Sequence, residues 1–194
     1  MQHPQWVLDD VAQAEKSWGV AHSIFPILIR STIGQPRSGV EIGVAYGSMC
    51  ISLVNSFENL CLVAVDPYAP YDSTDVMSRT QEAQNQVFNF ANQRLKNAYP
   101  GRITLLRKKS MEAVAEFKDE SFDFVFIDGC HQYESVSDDI KKWSEKVRIG
   151  GLISGHDYQT GWVGVTRAVE EYAAKNKKPI MFHRESSIWA IIKS

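Results

Sequence analysis

Short apolar runs of strand length alternate with amphipathic helical patterns along most of this chain, and few folds accept that alternation. VEIGV (40–44), CLVAVD (61–66), RITLL (102–106), FDFVFID (122–128) and GLISG (151–155) read as strands. Between them, Tyr133, Val136, Ile140, Trp143 and Val147 recur at helical spacing with charged residues in the gaps. A second stripe, Val165, Ala168, Val169 and Tyr172, follows Gly164. Strands alternating with helices imply βαβ units and a mostly parallel sheet. The strands are almost continuously apolar, as expected where helices cover both faces. The sequence therefore predicts an α/β, Rossmann-like doubly wound sheet. Residues 1–35 read as one or two helices placed before the first strand, and a further helix is expected over about 80–98. At the end, two apolar runs flank Arg184–Ser187, which predicts a closing antiparallel hairpin. Residues 67–80 are polar and rich in Tyr, Asp and Ser, and read as a long substrate loop.

Composition narrows the classes. The 194 residues are 44% hydrophobic and 23% charged, an ordinary globular balance that fits one domain over 1–194. A net charge of −2 argues against gripping a phosphate backbone, so no nucleic-acid partner is expected. The apolar runs fall far short of the ~20 residues a membrane span needs. Three cysteines, with no CxxC pair, make neither a disulfide framework nor a thiolate zinc site. The first residues lack a signal-peptide pattern, and a reducing cytoplasm is the expected location.

Ligands of open α/β sheets bind beyond the C-terminal ends of the strands. After the first predicted strand, Glu41–Ser48 carries Gly43 and Gly47, which allow a tight turn and close backbone approach. A helix starting near Ser48 would offer free N–H groups. The spacing is not GxGxxG, which counts against a nicotinamide dinucleotide. The same segment also suits a tight turn with no ligand. Asp66 closes the second strand and suits a ribose diol, or an ordinary turn before Pro67. Ser110 reads as a helix N-cap with Ala113 at N3, in a turn that would face the adenine of a nucleoside. Asp128-Gly129-Cys130-His131 and Gly155-His156-Asp157-Tyr158 follow two strands expected to be neighbours. Two carboxylates with imidazoles there can hold a divalent cation or move protons; a hydrogen-bonded polar cluster is the alternative. Trp162 suits a pocket wall or plain packing. Lys175, Lys177 and Lys178 suit a solvated helix end, and Cys130 is read as a bystander.

Glu41–Ser48, Val65–Tyr68, Phe126–Tyr133 and Gly150–Tyr158 together resemble class I S-adenosylmethionine-dependent methyltransferases. Within that group they are most similar to metal-dependent O-methyltransferases of the catechol, caffeoyl-CoA and macrolide-sugar types. The resemblance runs over about residues 38–194. It implies a seven-stranded sheet with one antiparallel strand. It implies that Glu41, Gly43, Gly47 and Ser48 surround the methionine part of S-adenosylmethionine, that Asp66 binds the ribose, and that Ser110 and Met111 contact the adenine. Asp128 and Asp157 match positions that hold Mg²⁺, and Asp128 also borders the cofactor and the reacting groups. His131 matches the general base. His156 stands where an acidic ligand is usual, and an imidazole favours Mn²⁺, Fe²⁺ or Zn²⁺. Met49 stands where catechol-type members carry Ser.

The resemblance thus implies an O-methyltransferase for a hydroxyl on a small molecule, a sugar or a phenol, assisted by a divalent metal (Mg²⁺ or Mn²⁺). Asp128, His156 and Asp157 are the expected metal ligands, and Tyr68, Tyr71, Asp72 and Trp162 would suit such an acceptor. No membrane partner is expected, and a homo-oligomer is compatible with the family. Two other readings stay open: a non-catalytic metabolite-binding domain on the same fold, and a metal-dependent hydrolase using Asp128, His131, His156 and Asp157 alone.

Overall fold

A computed structural model of the protein describes residues 3–70 and 79–194. Tyr71, Asp72 and most of the expected 67–80 loop therefore lie outside the described residues. The chain runs α1 (Gln5–Thr32), β1 (Ser38–Ile42), α2 (Ser48–Ser56), β2 (Cys61–Val65), α3 (Gln81–Ala98), β3 (Ile103–Leu106), the short α4 (Ser110–Ala113), β4 (Phe122–Ile127), α5 (Tyr133–Lys146), β5 (Val147–Gly155), α6 (Val163–Asn176), β6 (Met181–His183) and β7 (Ile188–Ile192). The sheet order is β3-β2-β1-β4-β5-β7-β6. β7 is antiparallel to both its neighbours, and every other pairing is parallel. The chain winds outward to both edges from the β1–β4 pair, the switch point where such sheets bind ligands.

Alternation along each strand feeds two cores. Phe124, Phe126 and Leu152 face α1, α2 and α3, while Val125, Ile127 and Ile153 face α4, α5 and α6. Both sets are buried, which is why the strands read as continuous apolar runs. The N-terminal segment is one helix despite Pro26 inside it. Pro26 has no N–H for the carbonyl of His22 four residues back. The Ser52 hydroxyl on α2 donates to that carbonyl at 2.5 Å instead, joining the two helices.

Three boundaries differ from expectation. β1 ends at Ile42, because Gly43 turns the chain at φ +86°. Val147 begins β5 beside Phe122 rather than closing the α5 stripe. Ser110 is the first residue of α4 and not its cap; Lys109 holds that position. Among the described residues, no helix is long and apolar enough to cross a membrane.

Candidate active site

The first wall of the site is the turn between β1 and α2. Gly43 approaches the β4 exit so closely that a Cβ would lie 2.0 Å from the Asp128 carbonyl oxygen. Gly47 (φ +80°) turns the chain into α2, and a Cβ there would press on Leu95. Asp66 fastens the turn from β2. Its Oδ2 accepts the Val44 and Ala45 N–H groups at 2.9 and 3.1 Å, and its Oδ1 accepts the Tyr68 N–H at 2.8 Å. The Tyr68 hydroxyl donates back to the Ala45 carbonyl at 2.9 Å. Ala45 and Tyr68 both hold φ near +45°, a conformation that side chains disfavour and that this mesh enforces. Burial raises the Asp66 carboxyl above its ordinary range, against the pull of the three amides. Glu41, on β1 beneath the turn, is 2% exposed and accepts the Cys50 thiol at 2.8 Å. Burial lifts its carboxyl to about 8, against the thiol bond and with help from Asp128 and Asp66.

The opposite wall comes from the ends of β4 and β5. Their parallel pairing continues past the strands, with the His156 N–H on the Ile127 carbonyl at 3.1 Å. Asp128 and His156 therefore meet. His156 Nδ1 lies 3.6 Å from Asp128 Oδ1 and 3.3 Å from Asp157 Oδ2. His131 Nε2 lies 2.9 Å from that same Asp157 oxygen. Ligand atoms of Asp128, His131 and Asp157 all fall within 4.8 Å of one another. Burial opposes charge on His156, but Asp128 and Asp157 outweigh it and lift the imidazole to about 10. Burial would raise Asp157; hydrogen bonds from both imidazoles instead hold it well below the usual carboxylate range. Asp157 itself sits at φ +61°. Trp162 stacks on the His131 ring, 4.3 Å between centroids and 22° between planes.

A cleft of about 700 Å³ joins the two walls. Glu41, Gly43, Ser48, Asp66, Ser110 and Met111 line it, as do Asp128, His131, His156 and Asp157. Gly47 shapes the turn without lining the cleft. Met49, Trp162 and Cys130 also face it, so Cys130 is closer to the site than expected. Several lining residues were not legible beforehand. Trp18 and His22, one turn apart on α1, and Gln84 on α3 all reach the cleft. A helix read only as an extension gave no reason to single out its histidine. Burial pulls the His22 imidazole down, partly offset by Asp128 and Glu15. α1 also holds the turn itself: the Tyr46 hydroxyl donates to Asp10 at 3.0 Å, and Glu15 pairs at 2.5 Å with Arg94, which donates to the Ser48 hydroxyl.

Solved structures share this architecture. A candidate caffeoyl-CoA O-methyltransferase from Staphylococcus aureus superposes with a TM-score of 0.69 at 14% identity, over 100% of this chain and 93% of that one. The Podospora anserina methyltransferase PaMTH1, solved with S-adenosylhomocysteine bound, gives 0.66 at 13% identity, over 98% and 85%. An O-methyltransferase from Bacillus cereus, also in complex with S-adenosylhomocysteine, gives 0.64 at 16%, over 96% and 90%. At such identities the likeness is one of fold. An uncharacterised Sinorhizobium fredii protein, y4gI, is 25% identical over 132 residues, 63% of this chain; the chain spans only 13% of that relative's length. The family model described as a methyltransferase domain matches residues 40–158, which hold both the glycine turn and the Asp128–Asp157 cluster. With that match over more than half its length, and with the seven-stranded sheet around it, the chain belongs to the methyltransferase-domain family of the class I fold.

Proposed function

We propose that this protein is an S-adenosylmethionine-dependent O-methyltransferase acting on a hydroxyl of a small molecule, a sugar or a phenol. The observation that carries the reading is the single cleft joining the Gly43–Gly47 turn to the Asp128–His131–His156–Asp157 cluster. The turn and the buried Glu41 suit the ammonium and sulfonium end of the cofactor. Asp66 keeps one lone-pair direction on Oδ1 for a ribose hydroxyl while it fastens the turn. The acceptor lies against Trp162 and the imidazoles. His131 takes the hydroxyl proton at Nδ1, while Asp157, 2.9 Å from Nε2, accepts the Nε2–H, orients the ring and balances the charge it gains. The acceptor oxygen then takes the methyl group and S-adenosylhomocysteine is released. Holding donor and acceptor in line lowers the barrier by several kcal/mol without further chemistry.

The donor set fits a divalent metal. Asp128, His156 and Asp157 are the ligands we assign to it; the described residues whose ligand atoms lie within 4.8 Å of one another are Asp128, Asp157 and His131, so the base would stand beside the ion. When bound, such an ion polarises the acceptor hydroxyl and eases its deprotonation. An imidazole among the donors favours Mn²⁺ over Mg²⁺. Three free thiols, one of them exposed, are consistent with a reducing, cytoplasmic setting.

The test is calorimetric titration of S-adenosylhomocysteine into metal-stripped protein. Saturable micromolar binding is expected. Folded protein that binds none would overturn the methyltransferase reading.

A further inference from the structure

At the end of the cleft where the resemblance places the adenine, Ser110 is engaged by the protein itself. The Ser110 hydroxyl donates to Asp139 Oδ1, and its oxygen accepts the Trp143 Nε1–H at 2.7 Å. That hydroxyl has one hydrogen, and α5 already uses it. Asp139 sits one helical turn beyond Ser135, and both line the cleft beside Ser110 and Met111. Asp139 is 5% exposed, yet Ser110 is its one hydrogen-bonding partner among the described residues. Among the described residues its Oδ2 takes no donor, and it is not a sealed-off atom but one open to the cleft that Asp139 lines. A ligand that covers this oxygen and displaces its water must bring it an N–H or O–H, because a carboxylate oxygen sealed off without a donor is costly. Glu134 and Asp138 line the same stretch and deepen its negative potential. The wall is built to accept from an amino group. Burial lifts the Asp139 carboxyl to about 6, so it is largely ionised, and hence a pure acceptor, at neutral pH.

We propose that Asp139, buttressed by Ser110 and Trp143, reads the exocyclic amino group of the adenine. Ser110 is then a positioning residue that fixes Oδ1 and leaves Oδ2 to the base. The inference rests on the cofactor reading above and adds a specificity: the site selects 6-amino over 6-oxo purines. In S-inosylhomocysteine a carbonyl replaces the amino group. Two acceptors would then face each other across the contact.

The experiment is calorimetry with S-adenosylhomocysteine and S-inosylhomocysteine on the full chain and on Asp139→Asn. The unaltered protein is expected to prefer the adenine compound about 10- to 100-fold. In Asp139→Asn the amide oxygen keeps the Ser110 bond and the NH₂ faces the base. Its preference is expected to collapse or invert towards the inosine compound, an outcome that loss of structure alone does not produce. Equal affinity of the unaltered protein for both compounds overturns the proposal even if the variant fails to fold. So does an unchanged preference in the variant. Failure of the unaltered protein to bind either compound strikes instead at the cofactor reading, on which the proposal stands.

Discussion

Glu41 gives the site a measurable proton. Its ordinary carboxyl pKa is 4.5, and burial in the fold raises it to about 8. Between those values the folded chain keeps a proton that the unfolded chain has released. The unfolding free energy therefore falls as pH rises through this window. From pH 5.5 to 7.5 the loss from this one group is about 2 to 3 kcal/mol, a large fraction of a typical domain's stability. Glu41→Gln keeps the shape and offers an amide oxygen to the Cys50 thiol, but it does not titrate. Urea unfolding of both proteins without ligand, at the two pH values, isolates the term, because every other titrating group is common to both. The unaltered protein should lose about 2 to 3 kcal/mol more than Glu41→Gln, a relative midpoint shift of about 1 M urea. Parallel pH slopes would refute the claim that Glu41 is buried with its proton.

Three further outcomes are expected. Asp66→Ala strands the Val44, Ala45 and Tyr68 amides together; stability should fall by about 3 kcal/mol, and S-adenosylhomocysteine should bind more weakly, both read by thermal shift with and without ligand. His131→Ala should lower methyl transfer by about 10²- to 10⁴-fold in single-turnover assays and leave S-adenosylhomocysteine affinity within about twofold; unchanged turnover removes His131 as the base. Mn²⁺ should bind the metal-stripped protein more tightly than Mg²⁺ by calorimetry, and His156→Asp should narrow the gap; a protein that prefers Mg²⁺ contradicts the donor set.

Much of this was legible in the sequence, because periodicity reports burial. The five parallel strands and the closing hairpin appear as apolar runs of the right length, and the cluster appears because both halves follow neighbouring strands. Boundaries failed where backbone geometry overrides pattern: nothing in the apolar run VEIGV says that Gly43 adopts φ +86°. Ser110 failed because a serine before a helix reads as a cap, whereas the buried acceptor that claims its hydroxyl lies 29 residues away on α5. Trp18 and His22 failed for the same reason. A residue that reaches a cleft across the fold leaves no mark at short range.

Ser52 on α2 donates to the His22 carbonyl that Pro26 leaves free, joining α1 to α2, and the Phe25 ring lies tilted against Phe126 on the sheet, 4.3 Å between centroids. The matched family segment, residues 40–158, includes neither α1 nor β7. A chain trimmed to that segment would lose the cover over Phe124 and Phe126 and would leave β5 an unpaired edge carrying Leu152 and Ile153. Bare strand edges and wide apolar faces recruit other chains. The matched segment is thus a chemical kernel and not an autonomous body: its apolar faces stay covered, and its glycine turn stays braced, only because α1 and β7 flank it.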